Sequence, residues 1–275
     1  MPIISGMNEM KINTEYIDCH DLHAGWTYRT ASLYEYGNMA MHISRDPEKI
    51  AENRTLLASQ TLPLSRWVLA DQKHTANIAR ISEADAGRGA FSMEDAIACT
   101  DGLYTTESDL LIGVHTADCL GIVLLDPAIP LAAVVHSGWK GTCQAILLRM
   151  LEALKTDNLL HPDTLQAYFA PSLLQSDLEV GPEVIEQIEA MAKREGLDAS
   201  LYIEKGEGDR SFLDNQGLNI AMLEKFQVPA DNIHPSSLST KKEPSCFSYR
   251  RDSRFGGEHF TFAWIQSEQQ NRRSE

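Results

Sequence analysis

Basic residues are scarce in this chain. Lysine and arginine number 24 against 39 aspartates and glutamates, a net charge of −15. Such a surface repels a phosphate backbone, and no basic stripe breaks it, so nucleic acid is excluded as a partner. Small anions remain admissible where arginines gather. No apolar run approaches the roughly 18 residues of a membrane span, so no membrane-spanning helix is expected. The start, Met1-Pro-Ile-Ile-Ser-Gly6, lacks the basic residues and apolar block of a signal peptide, which points to the cytoplasm. Cysteine is sparse and odd in number: Cys19, Cys99, Cys119, Cys143 and Cys246. That set does not make a disulfide framework, so reduced thiols are expected. Nine histidines include no His-x-His pair, which argues against clustered copper sites. The H-x-E and P-C-x-x-C signature of zinc base deaminases is missing, as are the Walker A and dinucleotide-binding glycine patterns.

What is present is an ordinary globular composition, 43% hydrophobic and 23% charged over 275 residues, enough for a sizeable core. Nothing between Ile12 and Ile265 reads as a linker, repeat or low-complexity stretch. One domain over residues 12–265 is the simplest organisation, followed by a polar tail, 266–275. Asp46-Pro47 opens a helix with Ile50, Asn53 and Leu57 on one face. Trp67 to Ala70 reads as a strand leading to Gln72 and His74, which share a face if it continues. Leu110 to Leu125 reads as one or two buried strands. Leu131 to Val135 is another, ending at His136, with Gly138 and Gly141 permitting a tight turn before a helix from about Thr142 to Leu154. Further helices are expected from Gly181-Pro182, stopping at Gly196, and from Asn219 to Phe226. Ser245–Tyr249 and His259–Trp264 alternate like strands. The last strands lie far along the chain from the first. The pattern predicts the α/β (α+β) class, a mixed β-sheet core flanked by helices.

Three residues carry the sharpest chemical signal. His74, Cys119 and His136 each stand in or beside an apolar stretch, where burial is costly without a role. Imidazole, thiolate and imidazole are the donors of a zinc site with one open position, the catalytic arrangement. The residues are too far apart for a local metal motif, and an inert buried cysteine with structural histidines fits the spacing as well. Asp118 faces away from Cys119 in a strand; it either orders the turn or orients a histidine. Arg29, Arg250 and Arg251 are candidate anion holders by their planar fork, with at least one a solvated charge and the 250–251 pair favoured. His20 and His23 read as exposed, His115 as core filling, and Cys99 and Cys143 as core residues.

Six segments come in a recognisable order: Gln72-Lys-His74, Asp101-Gly-Leu-Tyr-Thr105, Thr116-Ala-Asp-Cys-Leu120, Val135-His-Ser-Gly-Trp-Lys-Gly141, Glu179-Val-Gly-Pro-Glu183 and Phe247-Ser-Tyr-Arg-Arg-Asp252. Together they resemble the laccase-domain, polyphenol-oxidase-like purine nucleoside phosphorylase family across nearly the whole chain. The resemblance implies a single α/β domain with a mixed sheet. It implies a zinc-dependent enzyme, zinc rather than copper, with His74, Cys119 and His136 as ligands and catalytic residues. The implied substrates are purine nucleosides and phosphate: phosphorolysis of adenosine, inosine, guanosine and methylthioadenosine, with deamination of adenosine. Gln72, Arg29, Arg250 and Arg251 are the candidate substrate and phosphate contacts. Some bacterial relatives are linked to peptidoglycan editing. The chain departs from the family at Ser176-Asp-Leu178, where cysteines and a tyrosine are common. It departs again at Ser239-Thr240, where Cys-Thr is common, at Gly121 in place of proline, and at Gly256-Gly257 in place of Gly-Arg. The alternatives are a cysteine hydrolase using Cys119 and His136, a copper-dependent polyphenol oxidase, and a binding role without turnover. Oligomeric state is not legible.

Overall fold

The alternating run Leu120 to Leu125 shows how the layers form. Leu120, Ile122 and Leu124 enter one apolar cluster, and Val123 and Leu125 enter another. A strand repeats every two residues, so a continuous apolar run is buried on both faces. Leu131 to Val135 does the same. These two strands, Leu120–Asp126 and Leu131–Ser137, are therefore the middle of the molecule.

The computed structural model describes residues 11–253 and 256–267. Its six-stranded sheet runs in the order Ile233–His234, Gln166–Phe169, Leu120–Asp126, Leu131–Ser137, Gly102–Thr105, Ile78–Ile81. A five-stranded sheet runs Thr14–Cys19, Leu22–Thr27, His259–Ile265, Leu111–Thr116, Trp67–Leu69. Both are mixed, with parallel pairing at Trp67–Leu69 on Leu111–Thr116 and at Ile78–Ile81 on Gly102–Thr105. The two sheets face each other through Leu22, Val68, Ile112, Val123, Ala132 and Val134. The outer face of the larger sheet is covered by the helices Ile146–Thr156, Pro182–Glu195 and Asn215–Lys225. The outer face of the smaller one, built of Trp67, Phe260 and Phe262, packs with Leu57 of the helix Pro47–Ala58. This is the mixed α/β architecture expected of the sequence. A small third sheet joins Glu179–Val180, Ser211–Leu213 and Ile203–Lys205. Among the described residues no helix is long and apolar enough to cross a membrane. The opening residues 1–10 and most of the tail, 268–275, lie outside the described residues.

Local details depart from the sequence expectations for identifiable reasons. The strand at Trp67 stops at Leu69 and does not continue to His74, which takes a left-handed backbone, φ 57°. Gln72 and His74 therefore do not share a strand face. The helix expected from Thr142 is two, Trp139–Cys143 and Ile146–Thr156, broken where Ala145 has φ 58°. The helix at Asn219 starts four residues earlier, at Asn215, because Asp214 caps it through the Gly217 amide. Ser245–Tyr249 is not a strand. The hydroxyl of Ser248 caps a short helix, Tyr249–Asp252. Cys99 is exposed, with φ 48°, and not a core residue; Cys143 is buried.

Gly113 sits between two paired strands, and a Cβ there would come 2.1 Å from the Phe260 ring. Gly113→Ala is expected to destabilise the protein by about 1–3 kcal/mol through overpacking. A urea unfolding curve with an unshifted midpoint would contradict that packing.

Candidate metal centre

Three chain segments meet at one end of the sheets. The first is the loop after Trp67–Leu69, carrying His74. The second is the turn Ala117–Cys119 between two buried strands. The third is the end of Leu131–Ser137, carrying His136. Their donor atoms, two imidazole nitrogens and the Cys119 sulfur, all lie within 4.8 Å of one another. The two imidazoles meet edge to face, centroids 4.8 Å apart. Among the described residues this is the one such group of metal-binding donors.

A buried carboxylate builds the centre. Asp101 is fully buried at the start of Gly102–Thr105. Its Oδ1 accepts from His136 Nδ1 at 2.8 Å and from the His74 amide at 3.1 Å. Its Oδ2 accepts from the amides of Lys73 and Thr75 and from the Thr75 hydroxyl. Burial alone would raise this carboxyl. The His136 imidazole and the Thr75 donors outweigh that and hold it at about 2. With Nδ1–H committed to Asp101, His136 presents its other nitrogen to the centre.

The donor set suits a cation. Burial disfavours a Cys119 thiolate, but the charge and hydrogen bonds of His136, then those of His74, outweigh it and lower the thiol. Burial also disfavours charge on His136, yet the Cys119 thiolate and Asp101 raise it. A divalent cation can take the place of that proton. Gly138 leaves room for the sulfur: a Cβ there would stand 2.5 Å from Cys119 Sγ. The residues present fit a metal with three protein donors.

The centre opens into a cavity of about 570 Å³. Leu173, Leu178 and Trp139 give it an apolar wall, and Lys140 and Arg250 bring positive charge. Of the arginines singled out from sequence, the structure brings only Arg250 here. Arg29 pairs with Asp252 at 3.0 Å and lies over the Tyr36 ring. Arg251 donates to the carbonyls of Thr240, Glu243 and Cys246 and pairs with Asp252. Neither lines the cavity. Gln72 does, but both ends of its amide bond the His115 backbone. Asp118 orients no histidine. With φ 82°, it accepts from the Thr240 and Ser248 hydroxyls and the Arg250 amide, which ties the Arg250 segment to the Cys119 turn. His115 is buried beside Arg54, and burial with that charge pushes it well below its ordinary value, so it is neutral. Sequence reasoning missed Asp101, Lys140 and Glu258 as members of this site. The first two stand inside quoted motifs, the only signal they give; Glu258 gives none.

Fold and site together define a mixed α/β protein whose described residues hold one His-Cys-His group, in the wall of a cavity. The family model for multi-copper polyphenol oxidoreductase laccase matches residues 23–266, and the chain belongs to that family. It is 29% identical over 245 residues to purine nucleoside phosphorylase YlmD of Bacillus subtilis (strain 168), covering 87% of each chain. It is 31% identical over 232 residues to adenosine deaminase RL5 from an unknown prokaryotic organism, covering 84% of this chain and 87% of that one. The crystal structure of the Bacillus licheniformis hypothetical protein YfiH superposes with a TM-score of 0.84 at 26% identity, covering 92% of this chain and 97% of that one.

Asp101→Asn removes the charge that holds both histidines. Metal affinity, measured by competition with a chromophoric chelator, is expected to fall about 10–100-fold. An unchanged affinity would remove Asp101 from this role.

Proposed function

We propose that this protein is a zinc-dependent purine nucleoside phosphorylase that also deaminates adenosine, acting on adenosine, inosine, guanosine and methylthioadenosine. The observation that carries the reading is the convergence of His74, Cys119 and His136 beside a cavity with an apolar wall and two cations. The names of the relatives, phosphorylase and deaminase, point the same way.

Zinc in this centre would supply Lewis acidity at an open coordination position. The protein's own groups do the rest. Leu173, Leu178 and Trp139 offer apolar surface to a purine and exclude water from one face. Arg250 and Lys140 offer positive charge to phosphate in a molecule that is otherwise strongly acidic. Asp101 keeps the proton of His136 on Nδ1, so the ring faces the centre as a donor. All five cysteines are free, which suits a cytoplasmic protein.

The donor set favours zinc over copper chemistry. Two imidazoles and one thiolate also suit a blue-copper site, but that geometry adds a weak axial methionine or glutamine. Among the described residues no methionine lines the cavity, and the Gln72 amide is engaged with His115. One observation favours a second reading: Cys119, His136 and Asp101 stand in the order of a thiol nucleophile, its base and the orienting carboxylate.

Adenosine incubated with the protein, with and without phosphate, separates these readings. The expected products are adenine that depends on phosphate, and inosine that does not. Both are expected to vanish in Cys119→Ala and after chelation. Full activity in that variant would overturn the metal reading. Loss on thiol alkylation with resistance to chelators would favour the thiol nucleophile.

A further inference from the structure

The cavity contains a carboxyl group that the centre does not use. Glu258 follows Gly257, whose φ of 91° belongs to the left-handed region, and precedes the strand His259–Ile265. The backbone here is pinned. The Glu258 amide donates to Asn38 Oδ1 at 3.0 Å, and a Cβ on Gly257 would strike the Phe247 ring. The direction of the Glu258 side chain is therefore set by the fold. It lines the same cavity as His74, Cys119 and His136.

One oxygen of its carboxyl group, Oε2, is buried, in a side chain that is 18% exposed. Oε2 has no hydrogen-bond partner, and His42 Nε2 stands 3.6 Å from it. The Thr116 hydroxyl, opposite His259 on the neighbouring strand, also lines the cavity without a partner. Buried polar atoms are nearly always paired, so unpaired ones in a cavity wall are available to a ligand or to water. Burial raises the Glu258 carboxyl to about 7, against the opposing pull of His136 and His74. A protonated carboxyl is a hydrogen-bond donor.

The other cavity groups leave proton donation open. Asp118, the second acid in the wall, already accepts from Thr240, Ser248 and the Arg250 amide. Lys140 and Arg250 offer their charge to phosphate in the reading above. His74 and His136 belong to the metal centre.

Resting on the phosphorylase reading above, we propose that Glu258 is the catalytic acid for the departing purine, donating its proton to ring nitrogen N7. The bond between C1′ and N9 breaks, and its electron pair stays with the base. A phosphate oxygen bonds to C1′. The proton passes from the Glu258 carboxyl to N7, so the base leaves neutral. The proton lost by phosphate as it becomes a monoester restores the carboxyl. No redox partner is needed.

A nucleoside whose base needs no proton tests this. The base of 7-methylinosine already carries a positive charge and leaves as a neutral molecule. Phosphate-dependent turnover is measured on inosine and on 7-methylinosine for the wild type, Glu258→Gln and Glu258→Asp. In Glu258→Gln, kcat on inosine is expected to fall about 100-fold or more. The loss on 7-methylinosine is expected to be at least about tenfold smaller. Glu258→Asp keeps an acid and should lie between, and it carries the same comparison if the amide variant does not fold. Equal losses on both nucleosides, in a variant with wild-type melting and metal content, would overturn the assignment, as would full activity on inosine. A wild type that cleaves 7-methylinosine, with no selective loss in the variants, retains the phosphorylase reading and removes Glu258 from it. A wild type inactive on both nucleosides removes both.

Discussion

The carboxylate of Asp101 is the constraint on which the site depends. It accepts five hydrogen bonds, three from successive backbone amides, one from the Thr75 hydroxyl and one from His136. A left-handed backbone at a residue such as His74 costs on the order of 1–3 kcal/mol. The three amides turned toward one negative charge offset that cost and hold the loop. The same charge fixes the tautomer of His136. One buried group thus positions two donors that are 62 residues apart in the sequence. A second aspartate works in parallel: Asp118, also left-handed, joins the Cys119 turn to the Arg250 segment. The His74 side and the Arg250 side of the cavity are each held by a carboxylate bonded to or within a left-handed turn.

The segments that depart from the family pattern meet in space. Ser239 donates to Asp177 at 2.7 Å, and Lys242 pairs with the same carboxylate at 2.9 Å. Thr240 donates to Asp118, and Leu178 forms part of the apolar wall. The departures at Ser176–Leu178 and Ser239–Thr240 are thus one polar cluster behind one wall of the cavity. They leave His74, Cys119 and His136 untouched and reshape the cavity wall beside them. Gly121 has its own reason: a Cβ there would stand 2.6 Å from the Thr261 hydroxyl of the facing sheet.

Much of the frame was legible because it depends on local periodicity. The alternation through Leu120–Leu125 and Leu131–Val135 gave the central strands, and Asp46-Pro47 gave the first helix. The convergence of His74, Cys119 and His136 was an expectation of resemblance rather than of spacing, since the donors come from a loop, a turn and a strand end far apart in the chain. What stayed hidden was non-local. The role of Asp101 depends on partners 26 to 35 residues away. The alternation of Ser245–Tyr249 suggested a strand, but Ser248 and Asp118 pull that segment into a helical turn. Arg250 and Arg251 were equal in sequence and favoured over Arg29, and only the carbonyls and Asp252 around them decide which one faces the cavity. Glu258 lies outside every motif, and its burial is a property of the assembled fold.

The most direct test of the account is the identity and ligation of the bound metal. Elemental analysis with X-ray absorption at the metal edge would be made on the purified full chain. One zinc per chain is expected, with one sulfur and two imidazole nitrogens as protein scatterers, the sulfur lost in Cys119→Ala. Copper in stoichiometric amount, or zinc without a sulfur neighbour, would contradict it.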